Sequence, residues 1–312
     1  MESVHVTPER QTGKNKLKIP PSPFLKRIGF GTGVAVYELE RSPAFNNVLS
    51  PWAIKKLIKR KSLNIDLQNR LKNEAEILRS LKHPNIVGFR AFLEQPNGHI
   101  LAMEECISSV GDLIEQRCEE DLGPFPAQII RKVSTDLSRG LNYLHHDALL
   151  IHCDVKSYNI LTTGYFGICK LCDFGVCLPV TREGSLDTAK VGEDAEYIGT
   201  TSWCAPEVLL YPQIITTKAD IYSFGLVIWE MIALCPPIQN ELANNISQVS
   251  NSDSEIEEIL DNSMHNRMRP AIPDNVVLGP EYSDILGVFY CCTDAQKELR
   301  PTAGNLVKIL EI

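Results

Sequence analysis

The sequence predicts an α+β fold of two lobes, a small β-rich lobe followed by a larger helical one. Three observations carry this prediction. Residues 24–103 alternate like strands around one amphipathic stretch, the later residues have mostly helical spacing, and several glycines separate two strand patterns near the start. A chain of 312 residues is long enough to bury a sizeable core in two closely joined lobes.

Composition and charge exclude several classes of protein. Hydrophobic residues make up 44% of the chain, which argues against disorder over most of its length. The 31 Lys and Arg stand against 39 Asp and Glu, and a net charge of −8 argues against general nucleic-acid binding. No apolar run is long enough to span a bilayer, so no membrane partner is expected, and ten cysteines are too few for a disulfide scaffold. A reducing cytoplasmic or nuclear compartment is therefore expected.

The chain divides into three segments, the last of which carries an insertion. Residues 1–23 are polar and basic and are predicted to form a flexible tail. Residues 24–103 form the predicted β-rich lobe, and residues 104–312 form the hinge and the helical lobe. Within that lobe, residues 239–266 are rich in Asn, Ser, Asp and Glu, which predicts a solvated acidic insertion with a short helix at 256–260.

A glycine turn lies near the start of the β-rich lobe. Gly29, Gly31 and Gly33 separate strand patterns at 25–28 and 34–37. Such a turn lets backbone N–H groups approach phosphate oxygens, because no Cβ stands in the way. Alone it is weak evidence, since an ordinary hairpin has the same composition. A strand follows it and no Gly-Lys-Ser/Thr closes it, which excludes a dinucleotide fingerprint and a Walker A loop.

A lysine and a glutamate further along suit the phosphates of a nucleotide. Lys55 ends the strand pattern at 52–55, and Glu74 lies on the apolar side of a predicted helix at 67–81. A strand lysine that a helix carboxylate holds in place can neutralise two phosphates. Glu76 is a poorer partner, because it lies roughly 200° away around the helix. Taken singly, each of these residues is more simply a solvated charge.

The strongest signal is the polar run at 151–159, followed by an Asp-Phe-Gly triplet that begins at Asp173. Phosphoryl transfer needs an acceptor for the proton of the substrate hydroxyl, oxygen ligands for Mg²⁺ and a cation beside the moving phosphoryl group. These roles fall in order to Asp154, to Asn159 with Asp173, and to Lys156. A polar turn between two helices is the alternative, and it does not explain the fixed spacing of so many polar residues.

These motifs, in this order, resemble the protein kinase family. The resemblance covers residues from about 24 to 312 and implies a two-lobed protein kinase fold with ATP and Mg²⁺ between the lobes. It assigns nucleotide contacts to the glycine turn, the sheet and the hinge, at Ile28, Gly29, Gly31, Gly33, Val36, Ala53, Lys55, Met103, Glu104, Cys106 and Leu161. It assigns regulatory or substrate-positioning roles to Thr7, Thr200, Glu207, Asp220 and Arg300. Asp220 is expected to anchor the polar run at 151–159, which is the catalytic loop of the family, and Arg300 is expected to pair with Glu207.

Within the family, the chain is similar to serine/threonine or dual-specificity kinases related to mitogen-activated protein kinase kinases. The similar segments are 22–24, 29–34, 50–56 and 83–88. This resemblance implies a role in mitotic or proliferative signalling. Cys153 stands where many kinases have an arginine that pairs with a phosphate on the activation segment. Control by the tail, by dimerisation or by phosphates elsewhere is expected instead.

Proteins with serine or threonine acceptors are the expected substrates. An upstream proline-directed kinase acting at Thr7 and a second copy of the chain are left open as partners. A PDZ ligand needs a hydroxyl residue two before a terminal aliphatic residue, and the sequence Leu310-Glu311-Ile312 argues against a PDZ partner. Cys169 and Cys172 have the spacing of one ligand pair of a zinc site or of a redox motif, but the sequence has no second cysteine pair with metal-ligand spacing, so a packing role is expected.

Two other functions are weighed against a protein kinase. A pseudokinase scaffold, which binds partners without phosphoryl transfer, is favoured only by Cys153 and by Val34, which stands where the loop pattern has its third glycine. Every catalytic position is filled, which argues against it. A small-molecule kinase is disfavoured by Lys156 and by the segment 199–207, which are typical of kinases that act on proteins.

Overall fold

The computed structural model describes residues 26–31, 34–39, 52–57, 65–95, 98–210, 212–237 and 269–311. The predictions for the tail with Thr7, for Gly33 and for the acidic insertion with its short helix lie outside these residues.

A five-stranded antiparallel sheet forms the N-terminal lobe, in the order β1-β2-β3-β5-β4. Its strands are β1 (Lys26–Gly31), β2 (Val34–Leu39), β3 (Trp52–Leu57), β4 (Phe89–Leu93) and β5 (Ile100–Glu104). The predicted β-rich lobe is confirmed.

The predicted turn at 29–33 is wrong in its extent. Strand β1 continues through Gly29 to Gly31, which pairs with Val34, so that only two residues separate the paired ends. The register shifts between Arg27 and Gly29. Glycine tolerates such a bulge within a ladder, and the strand therefore does not need to end where the glycines begin.

Strand β3 lies at the centre of the sheet and presents different residues to its two faces. Side chains alternate along a strand, so Ala53 and Lys55 share one face while Ile54 takes the other. Ile54 packs in a small cluster with Leu39 and Ile100. Ala53 belongs instead to the main hydrophobic core, which continues into the second lobe. Lys55 therefore lies on the face of the sheet that is turned towards that core.

Helix α1 (Ile65–Ser80) covers this face of the sheet and confirms the helix predicted at 67–81, with both ends shifted slightly towards the N-terminus. Leu71 and Leu78 are buried in the main core. Glu74 lies between them at helical spacing and is buried, whereas Glu76 is exposed. The apolar stripe of the helix thus brings one carboxylate under the sheet.

The second lobe is mainly helical, as predicted. Its helices are α2 (Val110–Glu119), α3 (Ala127–Asn142), α4 (Thr188–Val191), α5 (Pro206–Leu209), α6 (Lys218–Ala233), α7 (Ser283–Cys292) and α8 (Ala303–Leu310). The described residues of this lobe also form five short strands, namely β6 (Ser108–Ser109), β7 (Leu150–Ile151), β8 (Ile160–Thr163), β9 (Ile168–Leu171) and β10 (Leu178–Pro179). Strands β6, β8 and β9 form one small sheet, and β7 pairs with β10.

Two helices of this lobe position the site. The helix predicted at 129–145 ends at Asn142 and continues as a π-helix over Tyr143–Asp147, a wider turn in which His145 reaches Asp220. Helix α6 is buried along nearly its whole length and forms the centre of the lobe.

Across the described ranges, no helix combines the length and apolarity that a membrane span requires.

Candidate active site

Three charged side chains from three different elements meet between the sheet and the second lobe. Lys55 Nζ donates to Glu74 Oε1 and Oε2 at 3.0 and 2.8 Å, and to Asp173 Oδ1 at 2.9 Å. The side chains of Lys55 and Glu74 are almost wholly buried, whereas 43% of the Asp173 side chain is exposed. The lysine is therefore held from the protein interior, and the cluster opens to solvent at Asp173.

Burial and mutual charge shift the pKa values of these three groups. Burial acts to lower the pKa of Lys55, but the carboxylates of Asp173 and Glu74 outweigh it and raise that pKa above its ordinary value. Burial, together with the negative charge of Asp173, raises the pKa of Glu74 to about 7, although the ammonium of Lys55 acts to lower it. For Asp173, burial acts upwards, but the Lys55 ammonium holds the pKa below its ordinary value. Lys55 and Asp173 are charged at neutral pH, and Glu74 titrates there.

Asp154 accepts four hydrogen bonds. Its Oδ2 accepts from Lys156 Nζ at 2.8 Å and from Asn159 Nδ2 at 2.9 Å. Its Oδ1 accepts from the backbone N–H and the hydroxyl of Thr200, at 3.0 and 2.6 Å. Lys156 also donates to the Thr200 hydroxyl at 2.7 Å. A carboxylate offers about four acceptor positions, so an incoming hydroxyl has to replace one of these donors.

The backbone before Asp154 is held by Asp220, a wholly buried carboxylate near the start of α6. Asp220 accepts the N–H of His152 at 2.8 Å and that of Cys153 at 3.0 Å, and His145 Nε2 lies 2.8 Å from it. Cys153 has a φ of 67°, a strained conformation for a residue with a side chain. These hydrogen bonds stabilise the strained backbone and so fix the position of Asp154.

Asn159 and Asp173 are linked through one backbone hydrogen bond, from Cys172 N to Asn159 O at 3.0 Å. The amide nitrogen of Asn159 donates to Asp154, which leaves the amide oxygen for a ligand. Mg²⁺ prefers such oxygen ligands and is usually held by one or two protein groups together with water and phosphate oxygens. Asp173 and Asn159 fit that donor set. Within the described ranges, no group of three or more His, Cys, Asp or Glu side chains forms a metal site by itself.

The apolar residues that the resemblance assigns to the adenine site come from both lobes. Ala53 and Met103 pair across neighbouring strands and are buried in the main core. Val36 from β2 and Leu161 from β8 pack against the same core. Ile28 lies on the edge strand β1 and is 42% exposed. An apolar layer with one side from each lobe suits the flat face of a base.

A model of the protein kinase domain matches residues 23–309 of the chain. The chain belongs to the protein kinase family. The match confirms the predicted two-lobed kinase fold and the predicted enzyme class, an ATP-dependent protein kinase. ATP and Mg²⁺ are the substrate and the ion that this family uses, and the charged residues described above fit both.

Three curated proteins illustrate the similarity and confirm the predicted resemblance. Human lymphokine-activated killer T-cell-originated protein kinase is 39% identical, over 98% of this chain and 97% of its own length. Mitogen-activated protein kinase kinase kinase 2 of Arabidopsis thaliana is 31% identical, over 76% of this chain and 32% of its own length. A probable serine/threonine-protein kinase of Dictyostelium discoideum is 30% identical, over 84% of this chain and 24% of its own length. The kinase thus spans nearly all of the first relative and a third or less of the other two.

The link between the lobes of this kinase is anchored by Glu104. Its Oε2 accepts the N–H of Gly88 at 3.0 Å and lies 3.2 Å from Lys170 Nζ. The Glu104 carboxylate is therefore occupied by contacts within the protein. The groups of the hinge, residues 104–106, that remain for a ligand are the backbone N–H and C=O groups. Cys106 is half-buried, and burial together with the charge of Glu104 raises the pKa of its thiol to about 11. The thiol is protonated at neutral pH and is a poor nucleophile.

Arg300 and Glu207 form a bidentate ion pair in the second lobe of the kinase. Arg300 is 1% exposed, and its two terminal nitrogens lie 2.6 and 2.9 Å from the two Glu207 oxygens. Arg300 Nε also donates to Asp294 O at 2.8 Å. The free-energy cost of removing the Arg300 guanidinium from water is offset by this many hydrogen-bond acceptors. It ties the segment that ends at Glu207 to the rest of the lobe.

Cys169 and Cys172 lie in the hydrophobic core, in agreement with the predicted packing role. Burial, with the nearby charge of Asp136, raises the pKa of the Cys169 thiol to about 12. Both thiols are therefore protonated and behave as apolar side chains.

Sequence reasoning missed Glu230 of this kinase. It is a buried carboxyl on α6 that accepts from Ser157 Oγ at 2.9 Å and from Trp203 Nε1 at 2.6 Å. The available signal was a single acidic residue inside the apolar stretch at 224–234. An acidic residue is rarely buried unless the fold provides it with partners.

Proposed function

We propose that this kinase transfers the γ-phosphoryl group of ATP to serine or threonine hydroxyls of protein substrates. The observation that carries the proposal is the meeting of Lys55, Glu74 and Asp173 below the sheet, next to the catalytic loop that bears Asp154 and Lys156. Residues separated by more than a hundred positions in the chain come together there with the charges that the reaction requires.

Asp154 is the group that receives the proton of the substrate hydroxyl. Its carboxylate already accepts the Thr200 hydroxyl at 2.6 Å, and a substrate hydroxyl takes over one of these acceptor positions. The hydroxyl is thereby oriented towards the γ-phosphoryl group, and Asp154 accepts its proton as the new P–O bond forms. The bond from the γ-phosphorus to the oxygen shared with the β-phosphate breaks in the same step, and ADP leaves with that oxygen. Lys156 donates to the same carboxylate and supplies positive charge where negative charge develops.

Lys55 holds the α and β phosphates of the nucleotide, and Glu74 keeps the lysine in place. Because the ammonium is buried and donates to two carboxylates, it is charged and oriented before a nucleotide arrives. Mg²⁺, when bound to Asp173 and Asn159, offsets the charge of the phosphate oxygens. Asp173 is suited to this role because its side chain is partly exposed while one oxygen remains fixed by Lys55.

Serine and threonine acceptors are supported by Lys156 and Thr200, which are typical of kinases for these residues, and by the names of two relatives in Dictyostelium. The names of the mitogen-activated protein kinase kinase kinases among the relatives support a place in signalling linked to MAP kinases. The mitotic or proliferative role within that signalling is proposed from the resemblance of the sequence segments described above. A cytoplasmic or nuclear setting is supported by the ten cysteines, all of which are free thiols.

A peptide-array assay of the purified full chain with ATP and Mg²⁺ tests the activity. Wild type should phosphorylate serine or threonine peptides, and tyrosine labelling would extend the proposal to dual specificity. Lys55→Met, Asp154→Asn and Asp173→Asn should each lower the rate by a factor on the order of a thousand. Asp284→Asn is the matched control, because Asp284 is an exposed aspartate whose pair with Arg131 lies far along the chain from these residues.

The alternative is a scaffold that binds partners without phosphoryl transfer. Wild type that is folded, binds a nucleotide and is as inactive as the three variants would support the scaffold and contradict the proposal. The signalling role is tested separately, in dividing cells. Loss of phosphorylated MAP kinases on replacement of the chain by Lys55→Met is expected, and unchanged levels would contradict that role.

A further inference from the structure

Glu230 connects two segments that each carry part of the proposed active site. On one side, its Oε1 accepts from the hydroxyl of Ser157, which lies between Lys156 and Asn159 in the catalytic loop. On the other side, its Oε2 accepts from the indole N–H of Trp203.

Trp203 is held to helix α6 at both ends. Its indole N–H donates to Glu230 at 2.6 Å, and its carbonyl oxygen accepts from Ser223 Oγ at 2.7 Å. Its own backbone N–H donates to Thr200 O at 2.9 Å. The position of Thr200, which donates twice to Asp154, therefore depends on how Trp203 is seated on α6.

We propose that Glu230 is a positioning residue that sets the distance between the catalytic loop and the substrate-facing segment at 199–207. The connection forms a closed ring, from Asp154 through Thr200 and Trp203 to Glu230, and back through Ser157. The catalytic loop and the segment at 199–207 have to keep a fixed relative position if Asp154 is to contact a substrate hydroxyl. The buried side chain of Glu230 holds both of them. This inference rests on the proposed kinase activity.

The charge of Glu230 is not needed for this role. Among the described residues, no cation lies within ion-pair distance of its carboxyl group, which is 2% exposed. Burial raises the pKa of Glu230 to about 8, against the hydrogen bonds from Trp203 and Ser157. A protonated carboxyl can accept from Trp203 and donate to the Ser157 hydroxyl, because a serine hydroxyl can act in either sense. A glutamine can make the same two contacts.

The test compares Glu230→Gln with Glu230→Ala in the full chain. Glu230→Ala should lower kcat by roughly 10- to 100-fold while the KM for ATP stays within about twofold, because the nucleotide contacts are elsewhere. Glu230→Gln should keep kcat within about threefold of wild type. Ser157→Ala and Trp203→Phe each remove one of the two hydrogen bonds to Glu230 and should each lower kcat. In the double variant, the two effects on the free energy of activation should not add up.

A separate control variant tests whether a loss of stability by itself lowers kcat. Thr293→Val removes a buried hydroxyl that donates to Phe289 O in the same lobe, away from both segments. It should lower the melting temperature without changing kcat of the folded protein. Folded Glu230→Ala with the kcat of wild type would overturn the inference, and so would Glu230→Gln as impaired as Glu230→Ala.

A second measurement separates this inference from the proposed function. Hydrogen exchange of the peptides that cover 154–160 and 199–207 should become faster in Glu230→Ala and remain unchanged in Glu230→Gln. This result does not require activity, so an inactive wild type would contradict the proposed function while the exchange data still decide the role of Glu230. Unchanged exchange in Glu230→Ala would overturn the inference.

Discussion

The backbone N–H of Cys153 donates to Asp220 Oδ1 at 3.0 Å, so a buried carboxylate on α6 holds the residue that precedes Asp154. Cys153 is itself in a strained backbone conformation, with a φ of 67°. Such strain costs on the order of 1–3 kcal/mol and persists only where the surrounding structure compensates for it. Asp220 provides that compensation, and its removal is the first test of how the catalytic loop is kept in place.

Asp220→Ala should impair both stability and catalysis. The N–H groups of His152 and Cys153 lose their acceptor, and each buried donor without a partner costs about 1–3 kcal/mol. We expect the free energy of unfolding to fall by about 2–5 kcal/mol and kcat of the folded protein to fall at least about tenfold. Denaturant titration and steady-state kinetics measure the two effects. Asp136→Ala, which removes another buried carboxylate, should lower stability alone, and equal kcat values for both variants would contradict the prediction.

Residues 176–198 precede the substrate-facing segment at 199–207, and their ordered conformation should not depend on phosphorylation of these residues. Cys153 is 1% exposed and packs in an apolar cluster with Tyr197 and Cys204, at the position where an arginine would bind a phosphate. Replacing the three serine and threonine residues of 176–198 together, as Thr181→Ala, Ser185→Ala and Thr188→Ala, should leave kcat within about twofold of wild type. A loss of activity in this triple variant, with the protein still folded, would contradict the prediction.

Cys153→Arg should not create a useful phosphate site in this protein. Cys153 is almost wholly buried in this apolar cluster, so a guanidinium there loses its hydration and has to displace packed side chains. The free energy of unfolding should fall by about 3 kcal/mol or more. Cys153→Ser is the matched control, because it keeps the size of the side chain and should cost much less. Thermal unfolding and kinase assays measure both variants, and Cys153→Arg with the stability and activity of wild type would count against this account.

Glu74 should make activity and stability respond to pH in opposite directions. Its pKa is raised from 4.5 to about 7 by burial, so it loses its charge as the pH falls below about 7. Lys55 then loses one of its two anionic partners, and kcat/KM for ATP should fall. The folded protein favours the neutral carboxyl, so this group contributes most to stability below about pH 4.5, and that contribution is lost as the pH rises through about 7.

Rate profiles from pH 5.5 to 8.5 check this prediction, together with thermal unfolding over the same range. Glu74→Gln should be less active than wild type at neutral pH, and its profile should lack the inflection near 7. An inflection that survives in Glu74→Gln would show that another group is responsible.

The Arg300 ion pair should contribute far more to stability than an exposed pair in the same lobe. Arg300→Lys keeps the charge but loses the two parallel contacts with Glu207 and the bond to Asp294 O, and it should lower the free energy of unfolding by about 2–4 kcal/mol. Arg131→Lys is the control, because its partner Asp284 is 79% exposed and the cost should be below about 1 kcal/mol. Similar losses in denaturant titrations of both variants would contradict the argument.

Much of the site was predictable because it rests on local patterns. The order of the motifs paired Lys55 with Glu74, and helical spacing placed Glu74, but not Glu76, in an apolar stripe. The spacing of Asp154 and Asn159 is likewise set by a short stretch of chain. Where local geometry was more permissive, as at the glycines of β1, the predicted turn was too long.

Other features of the site depend on residues that are distant in the chain. Ser157, Trp203 and Glu230 form one connection, yet no pattern in the sequence relates a serine in one loop to an indole more than forty positions later. Each of them, taken alone, is more simply a polar or apolar residue of the core. Their role follows from helix α6, which passes beneath both segments.

By itself, the sequence determined the order and spacing of the kinase motifs, and the helical spacing that places Glu74 rather than Glu76 on the apolar side of α1. Only the tertiary structure decided that Lys55 Nζ reaches Glu74 and Asp173 together, across separations of 19 and 118 positions. The reason is physical, since periodicity acts over a few turns, whereas a contact between distant residues depends on how whole elements pack. The same packing decided the pKa of Glu74, because the exclusion of water from a carboxyl group is a property of the assembled core.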